Sequence, residues 1–288
     1  MARAVADTFV KGHALGNDYV VVEPAALSFA LTPDVVRRLC DRHRGVGSDG
    51  VLALVSSERA DAGLRIFNPD GSEAEKSGNG LRIFARWLVE DGRVPGDRFT
   101  VETPGGVVEC CIRREDGRIA DITVAMGRAS FRSADVPCSG PPRDVVDEPT
   151  SVDGGILRVT AVGLGNPHCV VFVDDPAAAD LARLGPALEH HPLFPRRTNV
   201  QLARVEGRER VRVRVWERGA GETLASGSSA CAVAAACVRL GRTTPAVSVV
   251  MDGGVLRVEV DDAFRVRLTG DATLVYRGSL AAAFVASS

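Results

Sequence analysis

One internal offset constrains this chain more than any composition figure. Leu15-Gly16-Asn17, followed by a valine run, returns as Leu164-Gly165-Asn166 with another such run, 149 positions on. Ser77-Gly78 returns as Ser226-Gly227 at the same shift, and Gly105-Gly106-Val107 as Gly253-Gly254-Val255 at a shift of 148. Asn68 stands nine residues before Ser77, and Glu217 stands nine before Ser226. Self-similarity sustained at one period points to a duplicated structural unit.

Each half reads in the same order. A strand ends in a Gly-Asn turn and continues as a β-branched run, Tyr19–Val22 or Cys169–Val173. An alternating strand follows, Gly63–Phe67 or Val211–Trp216. A polar, glycine-rich loop then opens a helix, Gly80–Glu90 or Ser229–Leu240. Leu81, Phe84, Ala85 and Leu88 give the first helix an apolar face. The second, ACAVAAACVRL, is apolar nearly all round and should be buried. The expected fold is α+β, with two pseudo-symmetric lobes, each a β-sheet wrapped round a central helix. The expected division is 1–122 plus 272–288 against 123–271. An active site is expected in the cleft between the lobes, with Ser77 and Ser226 facing each other at two helix starts. Serine is also a favoured N-cap, but SGNG and ASGSS hold more small residues than a plain cap needs, as close approach of backbone to a ligand would. The proline-rich stretch 137–149 reads as a surface connection.

Composition excludes several classes. The 288 residues are 45% hydrophobic and 25% charged, with a net charge of −2, which offers no basic field for nucleic acid or an anionic membrane. No apolar run reaches the roughly 20 residues that cross a bilayer. The N-terminal MARAVADTFVKGH lacks a signal-peptide core. Seven cysteines form an odd set without a C-x-x-C pair, and the five histidines show no ligand spacing. Reduced thiols in a cytoplasmic protein, without a metal site, are the expectation. Lys11 and Lys76 are the two lysines among 35 basic residues, so a lysine directly before Ser77 draws notice.

Six blocks in order carry a resemblance over nearly the whole chain: KGHALGNDYVVVE, DRHRGVGSDGVL, RIFNPDGSEAEKSGNGLRIFARWL, VGLGNPHCVVFV, RRTNVQLA and WERGAGETLASGSSACAVAAA. They resemble the diaminopimelate epimerase family of cofactor-independent amino-acid racemases and epimerases. The resemblance implies proton removal at the α-carbon of a small amino-acid substrate by one base, and return from the opposite face by a second. It implies no pyridoxal phosphate or other cofactor, no metal, and a role in lysine biosynthesis; a homodimer is compatible with it. The developing dianion would be stabilised by amides at helix N-termini.

In that family both bases are cysteines, whereas the matching positions here are Ser77 and Ser226. A free thiol has a pKa of about 8.5, lowered further at a helix start; an alcohol is a far weaker acid. The resemblance assigns Glu217 and His168 to the reacting centre beside the two serines. It assigns Asn17, Asn68, Asn166 and Asn199 to the far end of the substrate, and Arg218 to a carboxylate. Gly78, Asn79, Gly227 and Ser228 match the donors to the α-carboxylate. Three readings follow: an epimerase with impaired two-thiol chemistry; a related isomerase or dehydratase on another amino acid or hydroxy/amino acid, with either Lys76 as the base or Ser77 activated by a neighbour; and a non-catalytic amino-acid binder.

Two motifs are set aside. Gly45-Val46-Gly47-Ser48-Asp49-Gly50 fits G-x-G-x-x-G, but a helix over Thr32–His43 before it and a strand over Val51–Val55 after it reverse the order that a dinucleotide site needs. Ser226-Gly-Ser-Ser is not a nucleophile elbow, and no Ser-His-Asp set is legible.

Overall fold

Strands that are apolar at every residue need cover on both faces. Tyr19-Val20-Val21-Val22 and Val51-Leu52-Ala53 are buried throughout, and so is Cys169-Val170-Val171. The computed structural model, which describes residues 6–286, provides that cover with two layers of helix. By internal contacts the chain divides into a first unit ending at Val124 and resuming at Gly270, and a second unit, Ala125–Thr269.

In the first unit, strand Thr8–Ala14 pairs antiparallel with Thr273–Ser279 on one side and with Asn17–Val22 on the other. Asn17–Val22 runs parallel to Val51–Val55, which is antiparallel to Ala62–Phe67. The sheet continues through Arg98–Thr103, parallel, and Gly106–Glu115, antiparallel. Ala14 faces Asn17 across a turn of Leu15 (φ 52°) and Gly16 (φ 84°). Positive φ at both positions is the requirement of the tightest hairpin turn.

Side chains alternate across the sheet. Val20, Val22, Val51 and Ala53 pack with Val35, Val36 and Leu39 of α1, Pro33–Cys40. The opposite face meets α2, Gly78–Glu90, where Leu52 lies under Gly80 and Tyr19 reaches Ser77. From Gly78 to Leu88, Arg86 is the one residue of α2 that is not buried.

The second unit repeats this succession of pairings. Gly155–Gly163 is antiparallel to Pro167–Phe172, which is parallel to Asn199–Gly207. Arg210–Glu217, Ala246–Met251 and Gly254–Val260 follow, with antiparallel, parallel and antiparallel pairing. Cys169, Val171, Val200 and Leu202 pack against α3, Leu181–Glu189. The other face holds α4, Gly227–Arg239, whose alanines 230, 232 and 234–236 are fully buried.

Several element boundaries differ from the sequence expectation. Both central helices start two residues earlier, at Gly78 and Gly227, which makes Ser77 and Ser226 their N-caps. Glycine's poor helix propensity argues for a loop there, but tertiary packing overrides it. The α4 helix ends at Arg239, one residue early. The α1 helix spans Pro33–Cys40 rather than 32–43, because the Asp41 carboxylate turns back to accept the amides of His43 and Arg44. The 137–149 stretch is exposed at Gly140 to Pro142, yet Val136 and Val145 are buried in the core of the second unit, and an Arg143–Glu148 ion pair at 2.7 Å closes the stretch on itself. Gly45–Gly50 lies between α1 and strand Val51–Val55, and the buried Lys11 ammonium donates to the Gly47 carbonyl.

The fully buried alanines of α4 leave little room for larger side chains. Ala234→Leu should destabilise by about 1–3 kcal/mol through overpacking, whereas Ile156→Ala, at a side chain 76% exposed, should be nearly neutral. Urea midpoints of the two variants measure the contrast; equal midpoints would contradict the packing described.

Candidate functional site

The first amides of a helix have no intrahelical partner. At the start of α2, Ser77 Oγ accepts the Gly80 amide at 3.0 Å and lies 3.2 Å from the Tyr19 hydroxyl. Asn79 is held on both sides: its Oδ1 accepts from Arg82 Nη2 at 2.8 Å, and its Nδ2 donates to Asn17 Oδ1 at 3.1 Å. Arg82 is fully buried and also donates to the carbonyls of Gly78 and Asp271, both at 3.2 Å. Asn17 Nδ2 in turn donates to Asp49 Oδ2 at 2.9 Å, and Arg42 bridges Asp49 and Asp18 at 2.7 Å each. Burial alone would raise the Asp18 carboxyl; hydrogen bonds from Arg42 and Lys11 outweigh it and hold the group down at about 2.

Asn68 is placed differently. It follows strand Ala62–Phe67, its Nδ2 donates to Ser72 Oγ at 3.0 Å, and it belongs to a local turn rather than to the Asn17–Asn79 chain. Lys76 is half-buried beside Ser77, and its charge reaches Cys110, where it partly offsets the burial that pushes that thiol up to about 12.

In the second unit the start of α4 is built around Glu217, the last residue of strand Arg210–Glu217. Ser226 Oγ donates to Glu217 Oε2 at 3.3 Å, and Thr223 Oγ1 donates to Oε1 at 2.7 Å. Ser226 makes no capping bond of its own, unlike Ser77, although the two share their backbone conformation (φ −139°, ψ 123° and 119°).

Below α4 lies a polar row. His168 is completely buried; its Nδ1 accepts from Gln201 Nε2 at 3.0 Å, so the ring proton sits on Nε2 and is donated to Asn166 Oδ1 at 2.9 Å. Burial, and secondarily the Arg218 charge, push the imidazole down to about 3 and keep it neutral. Gln201 Nε2 also donates to Ser229 Oγ at 3.0 Å. Asn166 Nδ2 points to Ser228 Oγ at 3.5 Å, the counterpart of the Asn17–Asn79 contact. Asn199 is a brace: its Nδ2 donates to the Pro167 carbonyl at 2.9 Å and its Oδ1 accepts the Arg218 amide at 3.0 Å.

Sequence reading missed Tyr19, Asp49, Arg82, Gln201, Thr223 and Ser229. Two had a usable signal: Arg82 is a cation three residues from Asn79 on an otherwise apolar helix face, and Gln201 sits two residues from Asn199 in an alternating strand. Cys231 is fully buried inside α4, and burial raises the thiols of Cys40, Cys110, Cys138, Cys169 and Cys237. A raised thiol pKa means less thiolate, the reactive form.

The neutral imidazole predicts a pH dependence of stability. The folded-state value near 3 lies below the ordinary 6.5, so the unfolded chain binds the extra proton between them. Stability is then complete above about pH 6.5 and falls as pH drops toward 3, by at most about 1.4 kcal/mol per pH unit. The urea midpoint of the wild type should fall more steeply from pH 7 to pH 5 than that of His168→Gln. Parallel slopes would show that His168 does not titrate as described.

The family model described as Diaminopimelate epimerase matches residues 9–132 and 160–275. "Diaminopimelate epimerase 2" of a Nostoc species is 46% identical, covering 94% of this chain and 95% of the relative. "Diaminopimelate epimerase" of Moorella thermoacetica is 46% identical, covering 94% and 98%. Among solved structures, a hydroxyproline epimerase from Agrobacterium vitis superposes with a TM-score of 0.71 at 17% identity, covering 96% of this chain and 93% of that one. A Bacillus anthracis phenazine biosynthesis protein of the PhzF family gives 0.66 at 17% identity, covering 96% and 99%. These two structures share the fold.

Proposed function

The chain belongs to the diaminopimelate epimerase family, and from that premise we propose that it is a pyridoxal-phosphate-independent amino-acid epimerase-type isomerase acting at an α-carbon. Ser77 and Ser226 occupy the positions of the two thiol bases, so two-thiol proton exchange is severely slowed. Diaminopimelate, the substrate in the relatives' names, is the proposed ligand, which assigns the chain to lysine biosynthesis in the cytoplasm.

The observation that carries this reading is the shared backbone of the two serines. Both are N-caps of central helices, with matching dihedrals, each directly before a buried first turn. A side chain there stands beside amides that stabilise negative charge. In this reading the Gly78-Asn79 and Gly227-Ser228 amides take the α-carboxylate, while Glu217 and Arg218 bracket the charged groups at the α-carbon. Asn17 and Asn166 contact the distal end, with Asn199 as their support in the second unit and Asn68 at the rim. His168 stays neutral and orients Asn166 rather than exchanging a proton.

A serine lacks the acidity to act as the family's thiolate does. Replacing a positioned base by a poor one costs about 10²–10⁴-fold in rate. The double variant Ser77→Cys/Ser226→Cys should therefore exchange the α-proton of meso-diaminopimelate with heavy water about 10²–10⁴ times faster than the wild type, followed by proton NMR. A folded double variant that binds the ligand yet shows no gain would overturn the reading.

The Ser226–Glu217 hydrogen bond favours a second reading. A carboxylate already engaged with the serine hydroxyl is a ready proton acceptor, and Lys76 precedes the other serine. The chain would then be a related isomerase or dehydratase acting on another amino acid. Lys76→Met should abolish such activity in a substrate panel; full activity would remove Lys76 from the mechanism.

A further inference from the structure

Glu217 and Arg218 sit where a strand ends, and chain ends of this kind keep their side-chain directions only if the backbone is held. The hold comes from a residue that neither the comparisons nor the sequence motifs mark. Glu189 is the last residue of α3 and is 3% exposed. Its Oε2 accepts the Trp216 indole N–H at 2.7 Å, and its Oε1 accepts the Gly219 amide at 3.0 Å. Arg197 donates to the same Oε1 at 3.3 Å. One buried carboxylate therefore grips the residue before Glu217 and the residue after Arg218.

The grip is reinforced on both sides. The Arg218 amide is bonded to Asn199 Oδ1 at 3.0 Å, and Arg218 Nη1 donates to the Arg196 carbonyl at 3.3 Å. Arg197 takes φ +58° to make the 194–199 loop fit, a conformation that L-residues seldom adopt. Trp216 lies flat on α3 at Gly185, where an added Cβ would stand 2.4 Å from the indole Cδ2. The indole can therefore approach Glu189 only because position 185 has no side chain. Hydrogen bonds to charged acceptors are short and directional, so two of them flanking a dipeptide fix where its side chains project.

We propose that Glu189 is a positioning residue: it fixes the 216–219 turn and thereby aims Glu217 at Ser226 and Arg218 at the substrate carboxylate. The aim toward substrate rests on the functional reading above; the fixing of the turn does not. Outer-shell partners of metal ligands change affinity or activity about 10–100-fold without touching the metal, and the same order is expected for a carboxylate that orients two substrate-facing side chains.

The test compares wild type with Glu189→Gln, which keeps the size but replaces one acceptor oxygen by a donor. Three quantities are read: the amide resonances of Arg218 and Gly219 with the Trp216 indole N–H, the affinity for meso-diaminopimelate by calorimetry, and the thermal midpoint. The expected result is a displaced Arg218 and Gly219 pair and an affinity loss of about 10–100-fold, with the midpoint little changed. A lowered midpoint with wild-type affinity and unmoved Arg218 and Gly219 amides is a merely structural role and overturns the proposal; so does unchanged affinity alone. If the wild type itself binds no meso-diaminopimelate, the functional reading fails and the amides decide: displaced, the positioning role stands; unmoved, it falls. Should Glu189→Gln not fold, Trp216→Phe removes one of the two flanking donors. Affinity should then drop severalfold, and wild-type affinity would refute the role.

Discussion

Helix amides that are buried before they can pair dictate the arrangement of both units. Gly78, Asn79 and Gly80 at the start of α2 are buried, as are Gly227, Ser229 and Ala230 at the start of α4. Buried donors without partners are costly, by about 1–3 kcal/mol each. A protein can satisfy such amides with a cap or leave them for a ligand. The surrounding polar side chains make sense as the walls of that choice. Asn17, Asn79 and Arg82 bond one another in one unit, and Asn166, His168, Gln201 and Ser229 in the other.

The two serines answer the constraint in opposite ways. Ser77 acts as an acceptor, taking the Gly80 amide, and so completes the cap of α2. Ser226 acts as a donor to Glu217 and caps nothing. A thiolate in either place would be drawn to the helix amides by charge. A neutral hydroxyl is instead free to be claimed by the nearest good partner, a backbone N–H in one case and a carboxylate in the other. None of the flanking contacts needs sulfur, so the framework is complete with a hydroxyl at both positions.

Much of the framework was legible because it is periodic. The 149-residue repeat, the unbroken valine runs and the alanine-rich helix each translate directly into duplicated sheets closed over central helices. Both central helices start two residues before the point that the sequence suggests, because glycine reads as loop while packing keeps Gly78 and Gly227 helical. The candidate site is legible in the sequence where its residues lie in contiguous motifs, as in SGNG and GNPH. It was opaque where a side chain works across long sequence gaps. Glu189 meets partners 27 and 30 residues away, and nothing local distinguishes it from an exposed glutamate at a helix end. Arg82 and Gln201 are polar residues at positions that patterning assigns to the core, which marks them in the sequence, but their partners emerge only from contact geometry.

That last pair also shows how far the two halves have diverged. Shifting Leu52 by 149 gives Gln201, and shifting Tyr19 gives His168. Under α2 the floor is an aliphatic side chain and a phenol reaching Ser77. Under α4 it is a fully buried amide and a neutral imidazole, and Gln201 Oε1 has no partner among the described residues. An unpaired buried acceptor is a stability loss that a leucine would avoid. Its retention is understandable if the other end of the amide matters more: Gln201 Nε2 fixes the His168 tautomer, which sets the direction of Asn166. Departures from a well-packed apolar core of this kind collect at functional sites. The two helix ends therefore offer different chemistry even though the backbone beneath them is repeated.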